Sequence, residues 1–295
     1  MVNIILVFME YKETNLDEEF IKPLLNLTDP PGRLWQYGEL PEKRSTRKVV
    51  SIIGSRRCTS YGEHYAYEIA YKLAQKGVII VSGMAYGVDA AAHRGCLDAG
   101  GITVAVLGTP INKLYPRSNE QLAKRIIENG GAIISEYPVG TITERWHFLQ
   151  RNRIVAALAD AVVITEASIH SGTITTAGLA QDQGVDVFAI PGDITRPMSA
   201  GCNQLIATNK AQIYTDISDV LIALKLAHGR HQCIDLSDLG EIERKIVKAI
   251  QGGVSSGEEI IEKLKISASD FSQNITMLEI KGMVLAQGCN EWILI

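Results

Sequence analysis

Val49-Val50-Ser51-Ile52-Ile53-Gly54-Ser55-Arg56 is the stretch of sequence that decides the fold. A β-branched run this short that ends in glycine is typical of a buried strand rather than a helix. The residues from Gly62 to Gln75 carry apolar side chains at helical spacing, so a helix is predicted next. A strand, a Gly-Ser turn and a helix bring backbone N–H groups and a helix N-terminus to one edge, where they can face an anion. Arg56 adds a positive charge at that edge.

This turn matches neither of the two best-known phosphate-binding patterns. Residues 54–62 lack the second and third glycines of the dinucleotide fingerprint, and the Gly-Lys-Ser/Thr ending of the Walker pattern is also missing. From these residues alone, an ordinary strand-to-helix turn with a solvated arginine remains as good an interpretation as a phosphate site.

The rhythm of strand and helix repeats from Lys48 to about Leu224. Further apolar runs lie at Val78–Val81, Thr103–Leu107, Ala132–Ile134, Ala161–Ile164 and Val187–Ile190. Alternation at this spacing predicts right-handed βαβ units, and therefore an α/β fold with a parallel sheet covered by helices on both faces. Ligands of such sheets bind at the carboxyl ends of the strands, so the residues just after each run are the candidate site.

Polar and basic residues follow several of these runs. Ser82 and Gly83 follow the second run, and Arg117 lies in the loop after the third, where it could hold phosphate beside Arg56. Ser171-Gly172-Thr173 follow the fifth run and crowd a predicted helix N-terminus with hydroxyl and amide groups, which indicates a second anion-binding turn.

Arg151 and Arg153 belong to a helix that is predicted to run to Leu158. Residues two apart cannot share a helical face, so we expect one of the two guanidinium groups to point inward, to carboxylates or carbonyls. For each of them a structural role and a ligand contact remain equally open.

No catalytic pattern emerges from the sequence. There is no nucleophile elbow, no convincing carboxylate pair and no His/Asp/Glu metal cluster. Asp89 falls in the first turn of a predicted helix, where the helix dipole alone accounts for it, and His93 is best interpreted as a packed histidine. The converging turns therefore predict a protein that holds phosphate without being an enzyme, with no catalytic residue, metal or cofactor.

Composition sets further limits. The 295 residues are 46% hydrophobic, enough for a sizeable core, and no apolar run approaches the roughly 18 residues needed to span a bilayer. Met1–Met9 lacks a basic leader and a cleavage site, so it makes a poor signal peptide. Five scattered cysteines without metal-like pairing indicate reduced thiols, and hence a cytoplasmic protein that does not associate with membranes.

The charge is unevenly distributed along the chain. The net charge of −4 divides into −3 for residues 1–45, +2 for residues 46–235 and −3 for residues 236–295. Only the middle of the chain is therefore suited to a polyanion, and only through a local basic patch.

An ordered set of motifs between Val49 and Ile213 resembles the DprA/Smf family of DNA-processing proteins. The set comprises Ile53-Gly54-Ser55-Arg56, Val81-Ser82-Gly83, Asp89-Ala90-Ala91-Ala92-His93-Arg94-Gly95, Tyr115-Pro116, Ser135-Glu136, Phe148, Arg151-Asn152-Arg153, Ser171-Gly172-Thr173, Pro191-Gly192, Gly201 and Asn203-Gln204-Leu205-Ile206. Each piece is weak, but the order is specific.

The resemblance implies an extended Rossmann-like core that binds single-stranded DNA, forms a homodimer, protects incoming DNA and loads the recombinase RecA in natural transformation without a nucleotide. It matches Arg56 and Arg117 to basic residues of the family's DNA pocket. The implied DNA-binding residues are Gly54, Ser55, Arg56, Ser82, Gly83, Arg117, Arg151, Asn152, Arg153, Ser171, Gly172 and Thr173. The chain departs from the family at Tyr86 and Ala200, where arginine is frequent.

Three regions follow from these patterns. Residues 1–45 are predicted to be a short lead-in, and residues 46–228 the Rossmann-like DNA-binding domain. After a hinge near Gly229–Ser237, residues 236–295 show three helical patterns and a hairpin, which outline a winged helix and resemble the family's C-terminal module. Its third helix carries no arginine, so we expect this domain to contact a protein or to regulate rather than to read DNA.

The leading hypothesis from sequence is a single-stranded DNA-binding recombination mediator. The alternative is a nucleotide-binding sensor or a phosphoribohydrolase-like enzyme on a related fold, although the Pro-Gly-Gly-x-Gly-Thr signature of those enzymes is absent here. A plain interaction scaffold is the third possibility.

Overall fold

A computed structural model describes residues 10–41, 47–226, 239–251, 254–281, 283–288 and 290–294. The chain divides into two compact units between residues 227 and 228. The expected hinge near Gly229–Ser237 and the segment Met1–Met9 lie outside the described residues.

The first unit is built on one nine-stranded sheet. Its strands are β1 Lys12–Glu13, β2 Trp35–Gly38, β3 Val49–Ile53, β4 Ile79–Ser82, β5 Thr103–Leu107, β6 Ala132–Ser135, β7 Ala161–Ile164, β8 Asp186–Ala189 and β9 Gln212–Ile213. Their order across the sheet is β1-β2-β6-β5-β4-β3-β7-β8-β9. All neighbours from β6 to β9 are parallel, while β1 and β2 run antiparallel at one edge. The α/β fold with a mostly parallel sheet, predicted from sequence, is confirmed.

Helices cover both faces of this sheet. They are α1 Ser60–Gln75, α2 Val88–Asp98, α3 Glu120–Glu128, α4 Arg145–Ala157, α5 Gly172–Asp182, α6 Ala200–Ala207 and α7 Ile217–Ala223, with short 3₁₀ helices at Lys22–Asn26 and Arg117–Asn119. Because side chains alternate along a strand, Val49 and Ile53 of β3 pack in one core while Val50 and Ile52 pack in the other. This two-sided burial explains why β3 reads as a continuous apolar run.

The chain reverses its direction across the sheet between β3 and β7. From β3 it proceeds outward through β4 and β5 to β6, and then returns to place β7 on the other side of β3. Such a switch point leaves a crevice at the carboxyl ends of the two strands, because their following loops diverge. The Gly54 turn and the Ser171 turn open onto this crevice.

The residues before Lys48 extend the sheet. Strand β2 pairs antiparallel with β6 over Trp35↔Ser135 to Gly38↔Ala132. Phe20, Ile21 and Leu24 are buried in the same core as β3. These elements are too short and too often interrupted by proline to be read from the sequence, which predicted only a lead-in.

The second unit contains α8 Glu241–Gln251, α9 Gly257–Leu264, α10 Ala268–Ile280 and an antiparallel pair, β10 Val284–Gly288 and β11 Glu291–Leu294. Its own core includes Ile246, Ile260, Phe271 and Leu278. Three helices followed by a hairpin agree with the predicted order, and the assignment to the winged-helix class stays a prediction. Among the described residues of the chain, no helix combines the length and the apolar character that crossing a membrane requires.

Candidate functional site

A cleft of about 1370 Å³ opens at the carboxyl ends of the parallel strands. Its walls come from the segments that follow β3 to β7, together with one face of α4. Of the twelve residues predicted from sequence, the ten that line the cleft are Gly54, Ser55, Arg56, Gly83, Arg117, Arg151, Asn152, Ser171, Gly172 and Thr173. Loops far apart in sequence are therefore brought to one edge of the sheet, as parallel-sheet topology requires.

Ser82 and Arg153 lie outside the cleft, contrary to the expectation that they line it. Ser82 is fully buried, and its hydroxyl donates to the carbonyl oxygen of Ile52 at 2.6 Å. Arg153 is also buried; its Nη2 donates to Oε2 of Glu136 at 2.6 Å, with Asp29 3.6 Å from its Nε. Both side chains bind groups of the protein itself, so a structural role accounts for them without a ligand contact.

The N-terminus of α1 is occupied by the protein itself. Glu166, buried at the end of β7, accepts hydrogen bonds from the backbone N–H and the hydroxyl of Thr59, each at 2.7 Å. Of the two interpretations left open from the sequence, an ordinary strand-to-helix turn is the one that fits this helix end, because an internal side chain already accepts its hydrogen bonds.

The Gly54-Ser55 turn is held tightly from both sides. The backbone N–H of Ser55 donates to the Glu166 carbonyl at 2.8 Å, and its hydroxyl accepts from the backbone N–H of Arg57 at 3.0 Å. A Cβ on Gly54 would lie only 2.6 Å from Val88 Cγ2, so the turn can come this close to α2 only with glycine. What the turn presents to the cleft is the exposed side chain of Arg56.

Arg151 forms the floor of the cleft. Its Nη1 donates to the carbonyl oxygens of Gly83, at 2.5 Å, and Val106. Any Cβ on Gly83 would collide with this guanidinium, which accounts for the glycine. Burial lowers the pKa of Arg151 to about 10, with the buried carboxylate of Asp89 opposing the shift, so the side chain remains charged at neutral pH. One inward guanidinium was expected from this helix, and the structure buries both Arg151 and Arg153.

The N-terminus of α5 is open to the cleft. Ser171 is its N-cap residue in extended conformation, but its side chain accepts no capping hydrogen bond. The Ser171 hydroxyl is a buried atom without a partner in the described part of the chain. The first N–H groups of any helix lack intrahelical acceptors, so those of Gly172 and Thr173 face the cleft with partial positive charge. Among the described residues, no side chain caps this helix end.

A basic rim surrounds this helix end. We use "cationic rim" for the exposed cleft residues Arg56, Arg57, Lys113, Arg117 and Arg145. None of them makes a salt bridge to an acidic side chain within the described residues. Among the described residues that line the cleft, the single acidic one is Asp89, which is buried beside Arg151. The accessible charge of the cleft is thus positive.

Sequence reasoning missed three members of the cationic rim, namely Arg57, Lys113 and Arg145, of which Arg57 directly follows the predicted Arg56. Lys113 lies four residues before Arg117 in the same loop, and Arg145 is the first residue of α4. Lys113 lies in the loop that follows a predicted strand, and this position was the signal that could have identified it. Arg145 follows a long irregular segment after β6, and nothing in its local pattern points toward the cleft.

The described residues contain no group of three or more His, Cys, Asp and Glu side chains placed to hold a metal. Cys58, Cys96 and Cys202 are free thiols, and burial raises the pKa of Cys58 to about 11. Cys233 and Cys289 lie outside the described residues.

The fold is of the Rossmann-like α/β class, and its switch-point crevice combines an open helix N-terminus with a cationic rim that makes no salt bridge among the described residues. The chain belongs to the DNA recombination-mediator protein A family, whose sequence model matches residues 13–225. The family predicted from the ordered motifs is thereby confirmed.

Individual relatives agree with this assignment. The chain is 39% identical over 206 residues to protein Smf of Escherichia coli K12, covering 70% of this chain and 54% of that protein. It is 37% identical over 206 residues to the DNA processing protein DprA of Streptococcus pneumoniae R6, covering 70% and 71%. The chain thus spans about half the length of the E. coli relative.

Two solved structures share the fold. The DNA processing protein A of Helicobacter pylori, described for its single-stranded DNA binding mode, superimposes with a TM-score of 0.66 at 31% identity, covering 77% of this chain and 100% of that one. The S. pneumoniae DprA structure superimposes with a TM-score of 0.65 at 34% identity, covering 73% and 75%.

Proposed function

We propose that this protein binds single-stranded DNA in the cleft and acts as a recombination mediator. The observation that carries the proposal is the cationic rim without acidic partners, arranged around the uncapped N-terminus of α5. The solved H. pylori relative, which binds single-stranded DNA, supports the same ligand for this cleft.

The physical basis is phosphate binding. Exposed guanidinium groups such as Arg56 and Arg117 neutralise phosphates and release counterions, while the N–H groups of α5 donate hydrogen bonds to phosphate oxygens. The +2 charge of residues 46–235, against −3 on either side, supports a ligand confined to this part of the chain. The twelve residues carried over from the family stay proposals as DNA contacts, with Ser82 and Arg153 the weakest because neither reaches the cleft.

The proposed partners come from the family. In this proposal the protein protects incoming DNA and loads RecA during natural transformation, works as a homodimer in the cytoplasm and needs no nucleotide. The winged-helix domain is proposed to make a protein contact, because α10 carries Asp270 and Glu279 as its only charged residues and no arginine.

The decisive experiment measures binding of the full chain to labelled oligonucleotides. Single- and double-stranded forms of one sequence are titrated by fluorescence anisotropy at two salt concentrations. We expect tighter binding to the single strand and weakening with salt, and equal or absent binding of the two forms would overturn the proposal.

Two further assays address the mediator role and the enzymatic alternative. RecA-dependent strand pairing should be stimulated by this protein and not by a variant that fails to bind DNA. Incubation with nucleoside monophosphates, followed by chromatography, should leave them intact, since release of a free base would favour the phosphoribohydrolase-like enzyme.

A further inference from the structure

Three aromatic rings form a row that begins in the cleft, where Phe148 and Tyr115 line the wall, and ends at Tyr86 in a small adjoining pocket. The rings of Tyr86 and Tyr115 are perpendicular with centroids 6.4 Å apart, and the rings of Tyr115 and Phe148 are tilted with centroids 5.6 Å apart. The guanidinium of Arg56 lies 5.0 Å from the centre of the Phe148 ring. We call Tyr86, Tyr115 and Phe148 the aromatic row.

The aromatic row is anchored at one end and accessible at the other. Phe148 packs against Gly108, where even a Cβ would lie within 2.8 Å of the ring. Tyr86 and Tyr115, by contrast, expose 46% and 48% of their surfaces. Neither tyrosine hydroxyl makes a hydrogen bond to another described residue, so about half of each ring surface is free to contact a ligand.

The aromatic row and the cationic rim meet at Arg56. Arg56 links the two, because it is a member of the rim exposed in the cleft and its guanidinium lies over the ring of Phe148. A polymer whose phosphates contact the rim would thus carry its next groups past Tyr115 and Tyr86. The bases of a single strand suit these rings, since every base has a π face that stacks on an aromatic side chain.

We propose that Tyr86 and Tyr115 form a base-stacking extension of the cleft that recognises unpaired bases in a DNA strand. The proposal rests on the proposed function, namely that the cleft holds the phosphates of that strand. Bases within a duplex already stack on each other and cannot spread onto the rings, so this extension discriminates strand type. Stacking reads no hydrogen-bond pattern, and the preference is therefore tolerant of sequence.

The test compares an ordinary oligonucleotide with one of equal length in which abasic sites replace most bases. Both carry the same phosphates, so the ratio of their affinities isolates the contribution of the bases. We expect the unsubstituted protein to bind the base-containing strand about tenfold more tightly. The double variant Tyr86→Leu, Tyr115→Leu should lose most of that ratio, while its affinity for the abasic strand and the salt dependence of its binding stay unchanged.

Two control variants separate stacking from other effects. Tyr86→Phe, Tyr115→Phe keeps both rings and should keep the ratio. Tyr11→Leu removes a tyrosine that is 44% exposed and edge-on to Tyr37 at 5.9 Å but lines neither the cleft nor the small pocket beside the aromatic row, so it should have no effect. Thermal unfolding by circular dichroism confirms that each variant is folded.

The outcomes distinguish the two proposals. If the leucine variant keeps the full ratio, or loses affinity for both strands equally, the stacking extension is refuted while DNA binding by the cleft stands. If the unsubstituted protein binds neither strand, the proposed function fails, and the extension fails with it.

Discussion

The carboxylate of Glu166 holds Thr59 through two hydrogen bonds of 2.7 Å, one from the backbone N–H and one from the hydroxyl. This contact joins the end of β7 to the start of α1, two elements that flank the switch-point crevice. Gly62 is required beside it, because a Cβ there would lie 2.5 Å from the Glu166 carboxylate. The Glu166 side chain thus caps the N-terminus of α1, whereas the N-terminus of α5 is left open for a ligand.

Replacing Glu166 tests this arrangement. Glu166→Gln removes the negative charge from this helix N-terminus and makes both hydrogen bonds neutral, with the Thr59 hydroxyl accepting from the amide NH₂ instead of donating, so we expect a loss of about 1–3 kcal/mol in the free energy of unfolding. Urea denaturation followed by circular dichroism measures it. Glu68→Gln is the matched control: Glu68 pairs with Lys72 on the exposed face of the same helix, and its loss should cost no more than about 1 kcal/mol. Equal effects of the two substitutions would refute the capping role.

Gly83 is predicted to be intolerant of a single added carbon. Gly83→Ala places a Cβ 2.4 Å from Nη1 of Arg151, and the guanidinium must leave the carbonyl oxygens that it binds. Because a buried charge then loses its partners, we expect destabilisation of about 3 kcal/mol.

Gly178→Ala provides the comparison for that prediction. Gly178 lies inside α5, and an added Cβ would have no atom within 4 Å other than its own helix backbone, so alanine should be neutral or stabilise by up to about 1 kcal/mol. Denaturation midpoints of the two variants, measured side by side, check both expectations. A Gly83→Ala protein as stable as the parent would show that Arg151 does not depend on this contact.

Arg117 is predicted to contribute one phosphate contact. Arg117→Ala should weaken binding to single-stranded DNA and reduce the magnitude of the log–log salt slope by about 0.7, as expected for one phosphate. Anisotropy titrations between about 50 and 200 mM salt measure the slope. Arg125→Ala is the control, because Arg125 pairs with Asp98 on the outer surface at 2.7 Å and should leave the slope unchanged. An unaltered slope in Arg117→Ala would remove this residue from the interface.

His93 is predicted to make the first unit less stable in acid. Its Nδ1 faces the Thr103 hydroxyl at 2.7 Å, and that hydroxyl donates to the Ile80 carbonyl, so His93 is the donor. Burial, reinforced by Arg151, lowers the pKa of His93 from 6.5 to about 3. Between these values the unfolded chain binds a proton that the folded one does not, so stability falls as the pH falls, by about 1.4 kcal/mol per pH unit at most.

A comparison with His93→Gln isolates this contribution. Urea denaturation of both proteins at several pH values from 7 to 4.5 gives the slope of stability against pH. The slope of the variant should be the shallower one, even though the variant is less stable at pH 7. Parallel slopes would contradict the assignment.

The sequence predicted the central strands well because a strand that is buried on both faces carries apolar residues at nearly every position. The strands β3, β5 and β7 begin and end where the apolar runs do. The short strands β1, β2 and β9 were missed, since two to four residues at or next to a sheet edge leave no comparable pattern. Their pairing is decided by tertiary contacts.

The cleft was predicted in part for a similar reason. Topology alone brings Arg56 and the Ser171 turn to one edge, and both lie there. The roles of Glu166 and Arg153 depend on partners such as Thr59 and Glu136 that are distant in sequence. A local sequence pattern does not predict contacts between side chains that are distant in sequence.

The pairing of β2 with β6 has a practical consequence for truncated forms of the protein. A fragment that starts at Lys48 would keep every residue of the cleft and yet leave the backbone of β6 unpaired along one side. Exposed strands of this kind recruit strands from other molecules and cause aggregation. Shortened proteins designed for crystallography or binding studies should therefore begin before Lys12, even when the cleft is the only part of interest.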